Sequence, residues 1–236
     1  MDDWTKASAK DATEKVAQLI EKRRSQGESM TPFAVAKGKK LATQFWGQSW
    51  QRHLESYTIY EQRLPAGRSY LRNGKVYNLN TEAGIVTAEV ADDQLYEVSV
   101  RIRPMDPESW EEMKAACSGQ ISSLLDLLEG RLGDGVMRAL CAPDLGLFPE
   151  VRDIRVQCNC TDYADVCKHG AAVLYAIGLQ FDQSPDLFFK LRGVNAAELI
   201  QSTAGSLQQS ESRSGSQVLA DSDIASLFGL DLDADA

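Results

Sequence analysis

The sequence predicts an α+β fold: a small antiparallel β-meander with helices, followed by a strand–loop–helix segment. Three observations support this class. Helical spacing of apolar residues dominates the first 57 residues, the period changes to two between residues 68 and 103, and helical spacing then returns. With 236 residues, 43% hydrophobic and 25% charged, the chain has the composition of a soluble globular protein that can bury a core.

Residues 1–57 are predicted to form an N-terminal helical, basic region. An apolar stripe runs along residues 3–24, and Trp46 and Trp50 share one face of a second helical pattern over residues 38–57. Residues 1–75 hold 14 Lys and Arg against 8 Asp and Glu, a balance of +6, whereas the rest of the chain carries −15. This asymmetry predicts two surfaces with different partners.

Residues 58–104 are predicted to form the antiparallel β-meander, because three alternating runs rich in β-branched residues are separated by turn residues. Residues 105–150 are predicted to be helical. Residues 202–236 are predicted to be a flexible Ser/Gln-rich linker with an acidic tail. Within the tail, a short docking peptide for a protein partner is predicted at Ile224, Leu227 and Phe228. The alternative for this peptide is a frayed chain end.

The segment 151–201 contains a metal-ligand pattern, C-x-C-x6-C-x-H, formed by Cys158, Cys160, Cys167 and His169. The alternation of residues 153–157 predicts a strand on which the first two cysteines share a face. The helical run from Gly170 puts the third cysteine before the first turn and the histidine at or just inside it. Three thiolates and one imidazole form a closed tetrahedral set, so we expect one structural Zn²⁺. Unrelated cysteines beside a surface histidine are the alternative, disfavoured because the chain has only two histidines.

This pattern, between a strand and a helix, resembles the SWIM zinc finger. The run CNCTDYADVCKHGAAVLYAIG is similar to the family sequence through the second ligand pair and its helix. The segments FWGQSWQRHLESY, RLPAGRSYLRNGKV, LYEVSVRI and SPDLFFKLRGVNAAELI extend the resemblance to bacterial SWIM-type zinc finger proteins over residues 12–201. The resemblance implies zinc binding by the four ligands, association with Snf-type helicase-like ATPases, DNA or other proteins, and no established catalysis.

The sequence therefore predicts a non-catalytic, nucleic-acid-associated adaptor, with DNA and a helicase-like ATPase as candidate partners. We expect neither an enzyme nor a small-molecule substrate, because the chain has no phosphate-binding glycine loop, no G-x-S-x-G motif and no Cys–His pair outside the metal set. The candidate phosphate contacts are Lys37, Lys39, Lys40, Arg52, Arg63, Arg68, Arg72 and Lys75. The interleaved aromatic residues could stack on bases, namely Trp46, Trp50, Tyr60 and Tyr70. A purely protein–protein interaction adaptor is the alternative.

The expected location is cytoplasmic, with no membrane contact. The N-terminus has no apolar signal-peptide core, and no apolar run approaches the roughly 20 residues that span a membrane. Thiols stay reduced there, so metal binding explains the clustered cysteines, and Cys117 and Cys141 are expected to be small buried hydrophobic residues. A redox switch at the metal thiolates is a further open role.

Overall fold

The fold is α+β, as predicted, and is built around a four-stranded antiparallel sheet. The computed structural model describes residues 3–35, 40–121, 123–142 and 146–200. Lys37, Lys39 and the predicted docking peptide at Ile224, Leu227 and Phe228 lie outside these residues. The helices are α1 Asp3–Ser25, α2 Phe45–Glu55, α3 Leu64–Arg72, α4 Pro107–Cys117, α5 Leu124–Glu129, α6 Asp134–Leu140, α7 Lys168–Gln183 and α8 Asp186–Leu191. The strands are β1 Val76–Glu82, β2 Ile85–Ala91, β3 Leu95–Ile102 and β4 Ile154–Cys158.

The sheet has the strand order β1-β2-β3-β4, and its first three strands are the predicted meander. The fourth strand comes from the metal-ligand segment and pairs with β3, so that Val98 lies opposite Cys158 and Ile102 opposite Ile154. Short connections of two and three residues join the meander strands, as expected for antiparallel neighbours. The strand that ends in the first metal ligand is therefore held in register by the meander.

Helix α7 lies at the centre of the core. Its residues 169–179 are all buried, because the helix packs on the sheet and also against α2 and α3. One hydrophobic cluster joins this helix to the sheet, to α2 and α3, and to buried residues of α4, α5, α6 and α8. The segments distinguished in the sequence between residues 41 and 199 thus share a single core.

Two helix boundaries differ from the sequence prediction. The meander predicted over residues 58–104 includes a helix, because α3 covers Leu64–Arg72: Leu64, Gly67 and Leu71 form a buried helical face and Pro65 suits the first turn. At Gly67 a Cβ atom would lie 2.5 Å from the Ala171 side chain, so glycine allows α3 to approach α7 closely. Helix α2 begins at Phe45 rather than at residue 38.

Helix α1 packs outside the main core on a smaller apolar cluster. Val16, Ile20 and Met30 form this cluster and contact apolar side chains of the β1–β2 hairpin and β3. An ion pair of 2.5 Å between Arg23 and Glu89 fastens the end of the helix to β2. Nowhere in the part of the chain that the structure describes is a helix both long enough and apolar enough to span a membrane.

Candidate metal centre

The four predicted ligands converge at one point. Their ligand atoms all lie within 4.8 Å of one another, and they come from Cys158, Cys160, Cys167 and His169. The histidine Nδ1 atom lies 3.7 Å from the sulfur of Cys158 and 3.9 Å from that of Cys167. Metal–sulfur bonds of about 2.3 Å and metal–nitrogen bonds of about 2.0 Å in a tetrahedron place a nitrogen and a sulfur about 3.5 Å apart, so the spacing suits one metal ion.

The start of α7 positions the second ligand pair. Cys167 is the N-cap residue, and its sulfur accepts a hydrogen bond of 3.3 Å from the Gly170 N–H. His169 lies within the first turn, as the sequence predicted. A Cβ atom at Gly170 would lie 2.5 Å from a methyl group of Val156, so glycine allows the helix to begin against β4. The strand and the helix thereby bring both ligand pairs together.

The pKa values of Cys158 and Cys167 shift in opposite directions. The pKa of Cys167 is lowered, because its sulfur accepts hydrogen bonds from the Cys158 thiol and from the Gly170 N–H, and these outweigh the effect of burial. The same Cys158–Cys167 hydrogen bond, together with burial, raises the pKa of Cys158. Because cysteine binds metals as the thiolate, metal binding must displace the proton that Cys158 keeps. Outside the cluster, burial raises the pKa of Cys117 and of Cys141, as expected for unreactive thiols.

A second layer of contacts orients the histidine. His169 is only 2% exposed, and the ring of Tyr96 stacks on it at a centroid distance of 4.2 Å. Its Nε2 atom lies 3.2 Å from the Asp92 carboxylate, which leaves Nδ1 facing the sulfur atoms. A carboxylate on the outer nitrogen of a ligating histidine fixes its tautomer and strengthens it as a ligand.

Asp92 is the centre of this second layer. Burial alone would raise the pKa of its carboxyl group, but hydrogen bonds from Lys168, Tyr70 and His169 outweigh burial and lower the pKa to about 2. The Lys168 ammonium lies 2.7 Å from the carboxylate and that of Lys75 lies 3.6 Å away. The patterns in the sequence do not predict this role of Asp92.

Replacing Asp92 by asparagine is expected to weaken zinc affinity about 10- to 100-fold, because the imidazole loses its charged partner. Competition with a chromophoric chelator measures this affinity. Asp93→Asn is the matched control, because Asp93 contacts the Tyr96 hydroxyl rather than His169 and should leave affinity unchanged. Equal affinities for the two variants would contradict the orienting role of Asp92.

The structure separates the predicted phosphate contacts into two groups. Four of them line one depression of about 260 Å³ between α2 and α3, which we call the α2–α3 depression: Lys40, Arg52, Arg68 and Arg72. Two others belong to the surroundings of the metal site. Arg63 lies 3.2 Å from Asp162 of the loop between the ligand pairs, and Lys75 pairs with Asp92.

The prediction that the aromatic residues stack on bases is wrong for three of them. Trp46, Trp50 and Tyr60 are at most 1% exposed. Tyr70 is half-buried and lies beneath Lys75 and Lys168. A different aromatic residue is accessible to a binding partner, because Tyr163 in the loop between the ligand pairs is 98% exposed. Its polar surroundings, TDYAD, are the sequence signal that could have identified it.

Comparison with known proteins adds one relative. The chain resembles uncharacterized protein Rv2102 of Mycobacterium tuberculosis. The two are 29% identical over 167 residues, which make up 70% of this chain and 60% of the relative. The chain thus spans about 60% of that protein's length. No protein-family model matches the chain, and no solved structure does. The resemblance to the SWIM family therefore stays a prediction.

Proposed function

We propose that this protein is a non-catalytic zinc-binding adaptor that contacts nucleic acid through the α2–α3 depression. The observation that carries the proposal is the gathering of Lys40, Arg52, Arg68 and Arg72 on one surface. Both helices of this surface pack on α7, whose first turn supplies two of the metal ligands. The metal site would therefore hold the scaffold that presents the cations.

Zinc is the proposed metal because of the ligand chemistry. Thiolates with one imidazole in a tetrahedral arrangement suit zinc, whereas magnesium and calcium prefer oxygen ligands. Four protein ligands fill the tetrahedron and leave no position for a reactive water. A structural role follows, because the ligands join the end of β4 to the start of α7. This ligand chemistry and the motif support the proposal that the chain belongs to the SWIM zinc finger family.

The charges of the depression suit a phosphate backbone. The lining residues described for the depression include four cations and no carboxylate. Arg68 pairs with Glu55, which is outside the lining, and donates a hydrogen bond of 3.0 Å to the Tyr175 hydroxyl. Arg52 is held by a hydrogen bond of 3.0 Å to Ser49. Because the whole chain carries −9, binding would be confined to this local positive surface. Arginine contacts of this kind position a protein on the backbone without reading sequence.

Charge reversal in the depression tests the proposal. In Arg52→Glu/Arg72→Glu, affinity for DNA is expected to fall at least about tenfold. The negative slope of log K against log salt is expected to become shallower by about two, because each arginine neutralises about one phosphate. The measurement is fluorescence anisotropy of the zinc-loaded protein on single- and double-stranded DNA across a salt series.

The matched control is Arg138→Glu/Arg155→Glu, which makes the same charge change at two exposed positions outside the depression. It should keep most of the affinity and the salt slope. Equal losses of affinity in the two variants would show a general charge effect instead of a site. No binding by the wild-type protein at low salt would overturn nucleic-acid contact.

A purely protein–protein adaptor is the second candidate, and the exposure of Tyr163 favours it. Tyrosine is enriched among the residues that dominate protein interfaces, and this one stands on the loop that the metal ligands anchor. Under either candidate, the proposed protein partner is a Snf-type helicase-like ATPase, which would supply the catalysis that this chain lacks. The proposed location of the protein is the cytoplasm.

A further inference from the structure

We propose a second binding site, for a phosphate group, at a small cavity around Arg192 where α8 ends. The cavity has a volume of about 170 Å³ and is lined by Arg103, Met105, Asp106, Phe148, Asp153 and Arg192, among others. It shares no lining residue with the α2–α3 depression and none with the metal ligands. The proposal therefore stands apart from the proposed function.

Within the part of the chain that the structure describes, Arg192 is a buried cation without a contacting counter-charge. Its side chain is 6% exposed, and its Nη1 group donates a hydrogen bond to the Arg103 carbonyl. Its Nε atom is buried and has no hydrogen-bond partner in the described residues, and none of their carboxylates forms an ion pair with it. Buried charges in proteins are normally paired, so this guanidinium is prepared for a ligand of opposite charge.

Two of the three acidic residues of the cavity are already engaged. Asp106 accepts hydrogen bonds of 3.0 and 3.2 Å from the first backbone N–H groups of α4. Glu150 pairs with Arg152 at 2.8 Å. Asp153 lies 3.5 Å from Arg103, and its buried Oδ1 atom has no hydrogen-bond partner in the described residues. Burial lowers the pKa of Arg192, and the nearby Asp153 carboxylate raises it by a smaller amount. The positive charge of the guanidinium is therefore only partly balanced by Asp153.

The shape of the guanidinium selects the ligand class. Because Nη1 is used, the edge formed by Nε and Nη2 remains, and two parallel N–H donors match two oxygens of a phosphate. The cavity is smaller than the roughly 300–1,000 Å³ of most small-molecule pockets, so it suits a single phosphate group. The exposed side chains of Arg103 and Arg152 also line the cavity, but each lies beside a carboxylate, so the proposal rests on Arg192. The group would come from inorganic phosphate or from the end of a phosphomonoester.

Arginine Nε–H signals in the NMR spectrum of the full-length, zinc-loaded protein test the site directly. One signal, absent from Arg192→Lys, is expected to shift and saturate on titration with inorganic phosphate at constant ionic strength. Titration with glycerol phosphate distinguishes the sources, because saturation by both ligands indicates an accessible phosphoryl end and saturation by inorganic phosphate alone indicates the free ion. A signal that does not move with either ligand, or moves equally with chloride, overturns the proposal.

Calorimetry gives the second measurement. Phosphate affinity is expected to fall at least about tenfold in Arg192→Lys, which keeps the charge but loses the two-donor edge. Arg138→Lys is the matched control and should keep wild-type affinity, because Arg138 is exposed and is not among the lining residues of either basic surface. Unchanged affinity in Arg192→Lys would remove the site. If that variant does not fold, the wild-type NMR titration decides alone.

Discussion

The Cys167→Ser variant is expected not to retain the proposed zinc ion and to melt at least about 10 °C below the wild type. Cys167 is both a metal ligand and the N-cap of α7, so the substitution removes one of three thiolates at the point where the helix begins. Zinc binding by small fingers is worth on the order of 10 kcal/mol, and even half of that is a large share of the stability of one domain.

The expected destabilisation extends beyond the finger because α7 is the centre of the core. The dependence on metal is not confined to the segment around the ligands, because residues 169–179 are buried against α2, α3 and the sheet. A helix cannot lose its first turn and keep this packing unchanged, since the ligand His169 belongs to the same buried run. Chelation should therefore lower the melting temperature of the whole folded unit.

Elemental analysis and thermal melts followed by circular dichroism check this prediction. Cys141→Ser is the matched control, because Cys141 is a half-buried thiol outside the cluster and its replacement should leave one zinc per chain. A Cys167→Ser protein with full zinc content would contradict the ligand assignment. A wild-type melting temperature that is unchanged after chelation would contradict the coupling between the metal and the core.

The ligand set could be predicted from the sequence because the four ligands lie close together along the chain. The four ligands lie within 12 residues, and the strand before them and the helix after them are each readable from periodicity. Asp92 could not be predicted in the same way. It is 77 residues from His169 and reaches it only because β4 pairs with β3. The periodicity of the sequence does not indicate which strand of the meander the metal-ligand segment pairs with.

The burial of the aromatic residues has a similar cause. The spacing of Trp46 and Trp50 correctly predicted that they share one face of α2, but it does not predict which elements pack on that face. The covering elements come from distant parts of the chain: Trp50 donates to the carbonyl of Leu174, 124 residues away, and Trp46 to that of Leu127. Arg52 stays exposed because it lies on another, polar side of the same helix, where it lines the α2–α3 depression.

Trp50→Ala is expected to destabilise the fold by roughly 3–5 kcal/mol, the cost of removing a large aromatic side chain from a core. Trp50 is fully buried, its indole N–H donates a 2.8 Å hydrogen bond to the Leu174 carbonyl, and its ring meets Phe181 edge-on at 5.5 Å. Urea denaturation measures the change. Tyr163→Ala is the comparison, because an exposed side chain should alter stability by no more than about 0.5 kcal/mol.

The same pair of variants separates a core role from a binding role. If Trp50 acts only in the core, its removal lowers the fraction of folded protein, and the DNA affinity of the fraction that stays folded remains that of the wild type. A base-stacking role would give the opposite result, a weaker affinity with an unchanged urea midpoint, and would require α2 to separate from α7. Because the packing of α2 on α7 also supports the α2–α3 depression, affinity must be compared at a temperature where both variants are folded. Under that condition, a decrease in affinity confined to Tyr163→Ala would place the exposed aromatic contact on the loop between the metal ligands.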